Sequence, residues 1–274
     1  MADNRCGAWC AAAVVGVLTL YAILAPIVYP LDEAITDFAA GDQAPGARHW
    51  FGTDSAGRDL FTLVAMGMRV SLGISVATAV VSTLVGLAVG VAAGAFGGWW
   101  DRVGMRVADA MTALPSLLLS LLIVSLFRGS LVAIVVSLVL THWTATARVV
   151  RAELLSSRHA EFVEVARLRG LPRTRIARIH FLPAAAGQAG VAAVLLVAHA
   201  VWHESTLSFL GVGLPPHQAS LGTLLADSGE ALLLGHWWRL VFPAGAIVAV
   251  TLGLSVAGRA LTAPRSSHRT AVSA

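Results

Sequence analysis

The sequence predicts an all-α polytopic membrane protein with about six transmembrane helices, and three observations carry that expectation. Hydrophobic residues make up 57% of the 274-residue chain and charged residues 12%, about half the charged share of a typical soluble domain. The apolar residues fall in runs long enough to cross a bilayer, separated by short polar stretches. All nineteen basic residues are arginine, and most sit in those stretches. The absence of lysine excludes one function. A Walker A phosphate loop needs its lysine to reach the nucleotide, so this chain cannot hold that ATP site itself. Any ATP-driven work has to come from another subunit. The sequence pI of about 10.0 reflects arginines in short inter-span loops, which argues against nucleic acid as a partner.

In chain order, residues 8–29 form an apolar run of spanning length, ended by Pro26 and Pro30. It lacks a small-residue cleavage site, so it reads as an uncleaved first span with its N-terminus inside. Cys6 and Cys10 stand at i, i+4 at its start. A metal pair or a palmitoylation site is one reading; two small hydrophobes at a helix start is the simpler one. Residues 30–58 are polar, with Asp32, Glu33, Asp37 and Asp42 and the turn formers Gly41, Pro45 and Gly46, and are assigned to the outside. They contain the string HWFGTDxxGRD, from His49 to Asp59. Gly52 and Gly57 permit tight turns, and Asp54, Arg58 and Asp59 suit a local ionic and capping network. Leu60, Phe61, Val64 and Met68 then make an apolar stripe suited to a helix lying on the membrane surface.

Residues 71–96 are a second span rich in Gly, Ala and Ser, small residues that let helices approach closely. Gly97 to Arg102 close it on the inside, with Trp99 and Trp100 at interface depth. Residues 104–127 are a third span, in which Asp109 is expected to pair with Arg102 or Arg106 and Pro115 to kink the helix. Residues 131–147 are the fourth span, ending in His142 and Trp143, after a short external turn at 128–130. Residues 187–210 are the fifth and 239–261 the sixth. Between them lies an external segment, 211–237, with Pro215, Pro216, His217 and His236. The tail to Ala274, with Arg265 and Arg269, is assigned to the inside. On this assignment fourteen arginines lie inside and five outside, the bias that sets orientation.

The segment that sets the chain apart is the loop between the fourth and fifth spans, EFVEVARLRGLPRTRIARIHFLP from Glu161 to Pro183. Seven arginines fall between Arg151 and Arg178, with long uncharged runs on either side. Phe162, Val165, Ala166 and Leu168 recur at roughly helical spacing, and Gly170, Leu171 and Pro172 break the pattern. Arg173 to His180 resume it with Ile176, Ile179 and Phe181. The reading is helix, sharp turn, helix, with an arginine-rich outer face for docking a soluble partner. The plainer alternative is a basic loop kept only by the positive-inside bias.

Glu164-Val165-Ala166, then Gly170, then Leu182-Pro183 resembles the EAA loop of binding-protein-dependent ABC importer permeases; Val165 departs from the alanine usual there. The HWFGTDxxGRD string resembles a signature of the oligopeptide, dipeptide and nickel permease family, and so does LSFLG from Leu207 to Gly211, with Glu204 four residues before Ser208. The resemblance covers residues 1–265 and implies a type I importer permease fold. It divides the chain into 1–70 (first span, external loop, interfacial helix), 71–265 (permease core with its coupling loop at 148–183) and 266–274 (cytoplasmic tail). The implied location is the bacterial inner membrane with both termini cytoplasmic. The implied partners are a second permease of similar fold, a pair of cytoplasmic ATPase subunits that use ATP and Mg, an extracytoplasmic substrate-binding protein and the lipid bilayer. No cofactor is expected on this chain, and no catalysis. Glu164, Val165, Ala166, Gly170, Leu171, Pro172 and Arg173 would form the coupling element that seats on the ATPase. The stretch Gly258 to Arg265 lacks the acidic residues that usually precede the family's C-terminal end, which puts a tail contact with the ATPase in doubt.

His199 and His203, at i, i+4, share one face of the fifth span. That spacing presents two imidazoles to one divalent ion, and imidazole suits nickel. Glu204 lies about 100° round from His203, close enough to offer a carboxylate. The pair, with His142-Trp143 and Arg148 to Arg151, looks closer to the nickel branch. The first expectation is therefore a nickel permease, for the free or chelated ion, with His199, His203, Glu204, Ser208 and His142 along the path and His199 and His203 as transient ligands. A dipeptide or oligopeptide permease is the alternative, with the histidines as ordinary cavity polar groups. A self-standing ion-coupled carrier is a more remote alternative.

Overall fold

A computed structural model describes residues 2–29, 37–157 and 161–262. Asp32, Glu33, Pro30, Arg158 and the tail with Pro264, Arg265 and Arg269 lie outside the described residues. The described residues are almost entirely helical: α1 (Ala2–Val28), α2 (Leu60–Phe96), α3 (Gly98–Ala113), α4 (Ser116–Leu126), α5 (Leu131–Ser157), α6 (Glu161–Leu168), α7 (Arg173–Ile176), α8 (Leu182–Phe209), α9 (Leu221–Ala226), α10 (Ser228–Leu233) and α11 (Trp238–Thr262). Among the described residues, five stretches are long and apolar enough to cross a membrane: Trp9–Val28, Leu60–Phe96, Leu131–Ser157, Thr174–Phe209 and Trp238–Ala260. A sixth arises if α3 and α4 count as one span, but they bend by 83° at their junction. The expected kink at Pro115 is thus a break. The proline ring forces the residue before it out of the helical region, and Leu114 is extended at φ −93°, ψ 137°.

Two expected elements change. Pro26 does not end the first helix; it lies inside α1, which runs on to Val28. The stripe Leu60, Val64, Met68 does not lie on the membrane. It is the start of a 37-residue α2 and is buried, with Leu63, against Leu221, Val201, Trp238 and Ile247. Sequence alone cannot tell a stripe meant for lipid from one covered by α9 and α11.

The core is built around α2 and α5. Gly86, Gly90 and Gly94 recur every fourth residue on α2 and face Thr146, Val150 and Leu154 of α5. A Cβ on Gly90 would fall 2.7 Å from the Ala147 carbonyl and the Val150 side chain, so the backbones meet with only glycine between them. Tyr21 joins α1 to this core by donating its hydroxyl to the Phe61 carbonyl at 2.6 Å.

One end of the bundle is closed by residues 42–59 and 211–239. Asp59 caps α2 by accepting from Thr62 N, and its other oxygen meets His49 Nδ1 at 2.7 Å. Asp54 accepts the backbone amides of Ala56 and Arg58 and pairs with the Arg58 guanidinium at 2.8 Å. The expected ionic and capping network is present, and its role is to seat α11: Trp238 donates to the Thr53 carbonyl at 3.2 Å, and Asp42 pairs with Arg239 at 2.9 Å. His236 lies 3.2 Å from the same carboxylate. At the opposite end, Asp101 at the start of α3 holds Arg151 of α5 in a two-point contact. Asp109 pairs with Arg148 of α5 at 3.0 Å, and not with Arg102 or Arg106 as expected.

Candidate functional site

The segment after α5 folds as helix, turn, helix. Gly170 takes φ +73°, a left-handed turn that most side chains resist, and Leu171 N–H donates to the Ala166 carbonyl across it. Pro172 then accepts from the amides of Arg175 and Ile176, opening α7 at Arg173. α7 runs through a π-helical turn, Ala177–Phe181, into α8 with no non-helical residue between them.

The inner face differs from the expected pattern. Val163, Ala166, Ile176, Ala177 and Phe181 are buried against Val150 and Leu154 of α5 and Ala185 and Ala189 of α8. Val165 and Ile179 point outward, and Leu168 is 88% exposed. Glu164, Arg169, Gly170, Pro172, Arg175 and Arg178 share that exposure, and Leu171 is half-buried. The outward surface is therefore apolar side chains ringed by charge.

The histidines gather between α5 and α8. His142 of α5 and His203 of α8 meet edge to face, with ring centroids 4.8 Å apart. A carbonyl only accepts, so His142 Nδ1–H donates to Leu138 O at 2.8 Å and leaves its Nε2 free of that bond. His203 Nδ1 is buried with no hydrogen-bond partner. His199 is exposed one turn away, next to exposed Trp202. Among the described residues no group of three or more His, Cys, Asp or Glu is placed to hold a metal ion. Cys10 is free and exposed.

Glu204 and Ser208 do not join this group. Glu204 is fully buried, and Ser208 Oγ donates to its Oε1 at 2.9 Å. Ser205 donates to Oε2 at 3.4 Å, and Ser71 and Ser220 lie beside the carboxylate. The expected carboxylate beside the histidine pair points into a nest of serines instead. Sequence reasoning missed the partners because Ser71 and Ser220 are far from Glu204 along the chain. His217 lies at the 211–239 end, in a small cleft with Arg58, Thr223 and Asp227. Partial desolvation pushes the Asp227 carboxyl up from its ordinary range, with Arg239 and Arg58 pulling it back.

The fold defines a class: a multi-span helical membrane protein with a compact helix-turn-helix between its α5 and α8 helices. The chain belongs to the family described as the inner membrane component of binding-protein-dependent transport systems, whose profile matches residues 86–263. It is a permease subunit of an ABC importer, a transport protein and not an enzyme. It is similar to the oligopeptide transport system permease protein OppC of Bacillus subtilis (strain 168), 37% identical over 248 residues, covering 90% of this chain and 81% of that one. The dipeptide transport system permease protein DppC of the same organism is 36% identical over 89% of this chain and 76% of its own. OppC of Escherichia coli (strain K12) is 40% identical over 86% of this chain and 78% of its own. These relatives support the peptide alternative over the nickel branch.

Proposed function

We propose that this chain is one of a pair of permeases in an ATP-driven importer of short peptides. The observation that carries the mechanism is the exposed apolar and arginine surface of Val165, Leu168, Arg169 and Arg175, on a segment whose inner face packs on α5 and α8. That surface suits the groove of a cytoplasmic ATPase that uses ATP and Mg. The arginine bias then puts it, and both termini, in the cytoplasm. The peptide substrate rests on the names of the relatives. An extracytoplasmic binding protein would deliver it to the 42–59 and 211–239 end.

The exposed face of α5 and α8 is the proposed path wall. It carries His142, His199 and His203, with the Asp109–Arg148 pair joining α3 to α5 beside it. Charged and imidazole groups at these positions face a partner or water in preference to lipid. The second permease of similar fold would close the path from the other side. ATP binding closes the ATPase pair, shifts the docked segment as a rigid body, and moves α8 with it.

The test is uptake by cells expressing the full importer. Labelled di- and tripeptides should accumulate in an ATP-dependent way, unaffected by a large excess of nickel. Accumulation of nickel and not of peptide, abolished by joint replacement of His199 and His203 with alanine, would reverse the substrate reading.

A further inference from the structure

Glu204 is the most deeply buried acidic residue among the described residues, and the path described above makes no use of it. Three of the serines around it share one property. Ser71 Oγ accepts the Leu221 amide at 3.2 Å, Ser208 Oγ accepts the Leu214 amide at 3.3 Å, and Ser220 Oγ accepts the Thr223 amide at 3.1 Å. A hydroxyl has one proton to give, and Ser208 directs its own to Glu204, while Ser71 and Ser220 stand beside the carboxylate. The carboxylate thus ends a relay from the Leu214 amide through Ser208, inside a nest whose other serines hold the Leu221 and Thr223 amides. Alanine at 204 would leave the buried Ser208 hydroxyl without that acceptor. The fit is tight as well, since a Cβ on Gly222 would fall 2.3 Å from the Ser205 carbonyl.

At its other end the helix that bears Glu204 is continuous with the docking segment. Thr174–Phe209 runs for 36 residues, about 54 Å at the α-helical rise. We propose that Glu204 is the positioning residue through which α8 carries the 211–227 segment. Movement of the docked coupling element reaches the far end of the bundle along α8, and the Glu204–serine joint makes that segment follow. This rests on the importer reading above.

Two measurements test it, on the complete complex reconstituted in lipid. The first is amide hydrogen exchange. Glu204→Ala should speed exchange of peptides covering 211–226 by tenfold or more, with α5 peptides unchanged; Ser220→Ala should give a smaller effect on the same peptides. Unchanged exchange there in both variants overturns the joint. The second is the number of labelled tripeptides imported per ATP hydrolysed. Glu204→Ala should lower that ratio at least fivefold with hydrolysis within twofold of wild type, and Glu204→Gln, which keeps one acceptor oxygen, should recover part of it. Uptake and hydrolysis falling in proportion, in the alanine variant and in the milder Ser220→Ala, overturns transmission through Glu204. If wild-type complex imports nickel and not peptide, the substrate reading fails, and the same ratio read with nickel still decides this one.

Discussion

Gly90 shows how little room the α2–α5 seam leaves. A leucine there has to displace the Ala147 carbonyl and the Val150 side chain, both at 2.7 Å from the would-be Cβ. Overpacking of this kind costs roughly 1–3 kcal/mol or more. Gly90→Leu should lower the thermal midpoint of the purified chain by several degrees, whereas Gly190→Ala, with nothing near its Cβ, should leave it unchanged. Gly170 is constrained differently: its Cβ would meet nothing, but its φ of +73° disfavours other residues. Gly170→Val should reduce ATP-dependent peptide uptake, and Gly170→Asn, a residue that tolerates the left-handed region, should reduce it less. At this scale the sequence is uneven. The turn at Gly170 and the cap at Asp59 were legible because their chemistry is local. The role of Glu204 was not, because it depends on Ser71 and Ser220, which only the fold brings near.

Among elements, the break at Pro115 was half legible. A proline inside an apolar run announces a kink, but an 83° bend needs Leu114 extended, and the packing of α3 against α5 through Asp101–Arg151 and Asp109–Arg148 holds it there. Pro115→Ala restores an amide and relaxes Leu114. Spin labels at Val107 and Leu122 should then report a longer distance, as α3 and α4 tend towards one straight helix; an unchanged distance would assign the bend to the ion pairs alone. The start of α2 was misread for a reason of the same kind. Helical periodicity shows that Leu60, Val64 and Met68 share a side, but not whether lipid or protein covers it. In α6 the helical spacing of Val165 and Leu168 does not say which side is covered, and the structure exposes both. That exposure is informative, since apolar residues on the exposed side of a charged helix are what a docking surface requires.

For the whole molecule, the class of fold was readable from composition and span length. The substrate was not. A histidine pair at i, i+4 looks the same in sequence whether it binds an ion or lines a wet cavity, and the relatives point to peptides. The central claim is that force enters through the 161–176 surface and leaves by α8. Its most direct test is ATP-dependent uptake of a labelled tripeptide by reconstituted complex carrying Leu168→Glu. The account expects uptake to fall at least tenfold while the two permeases still co-purify. Uptake at the wild-type rate, or uptake by this chain with no ATPase present, would contradict it.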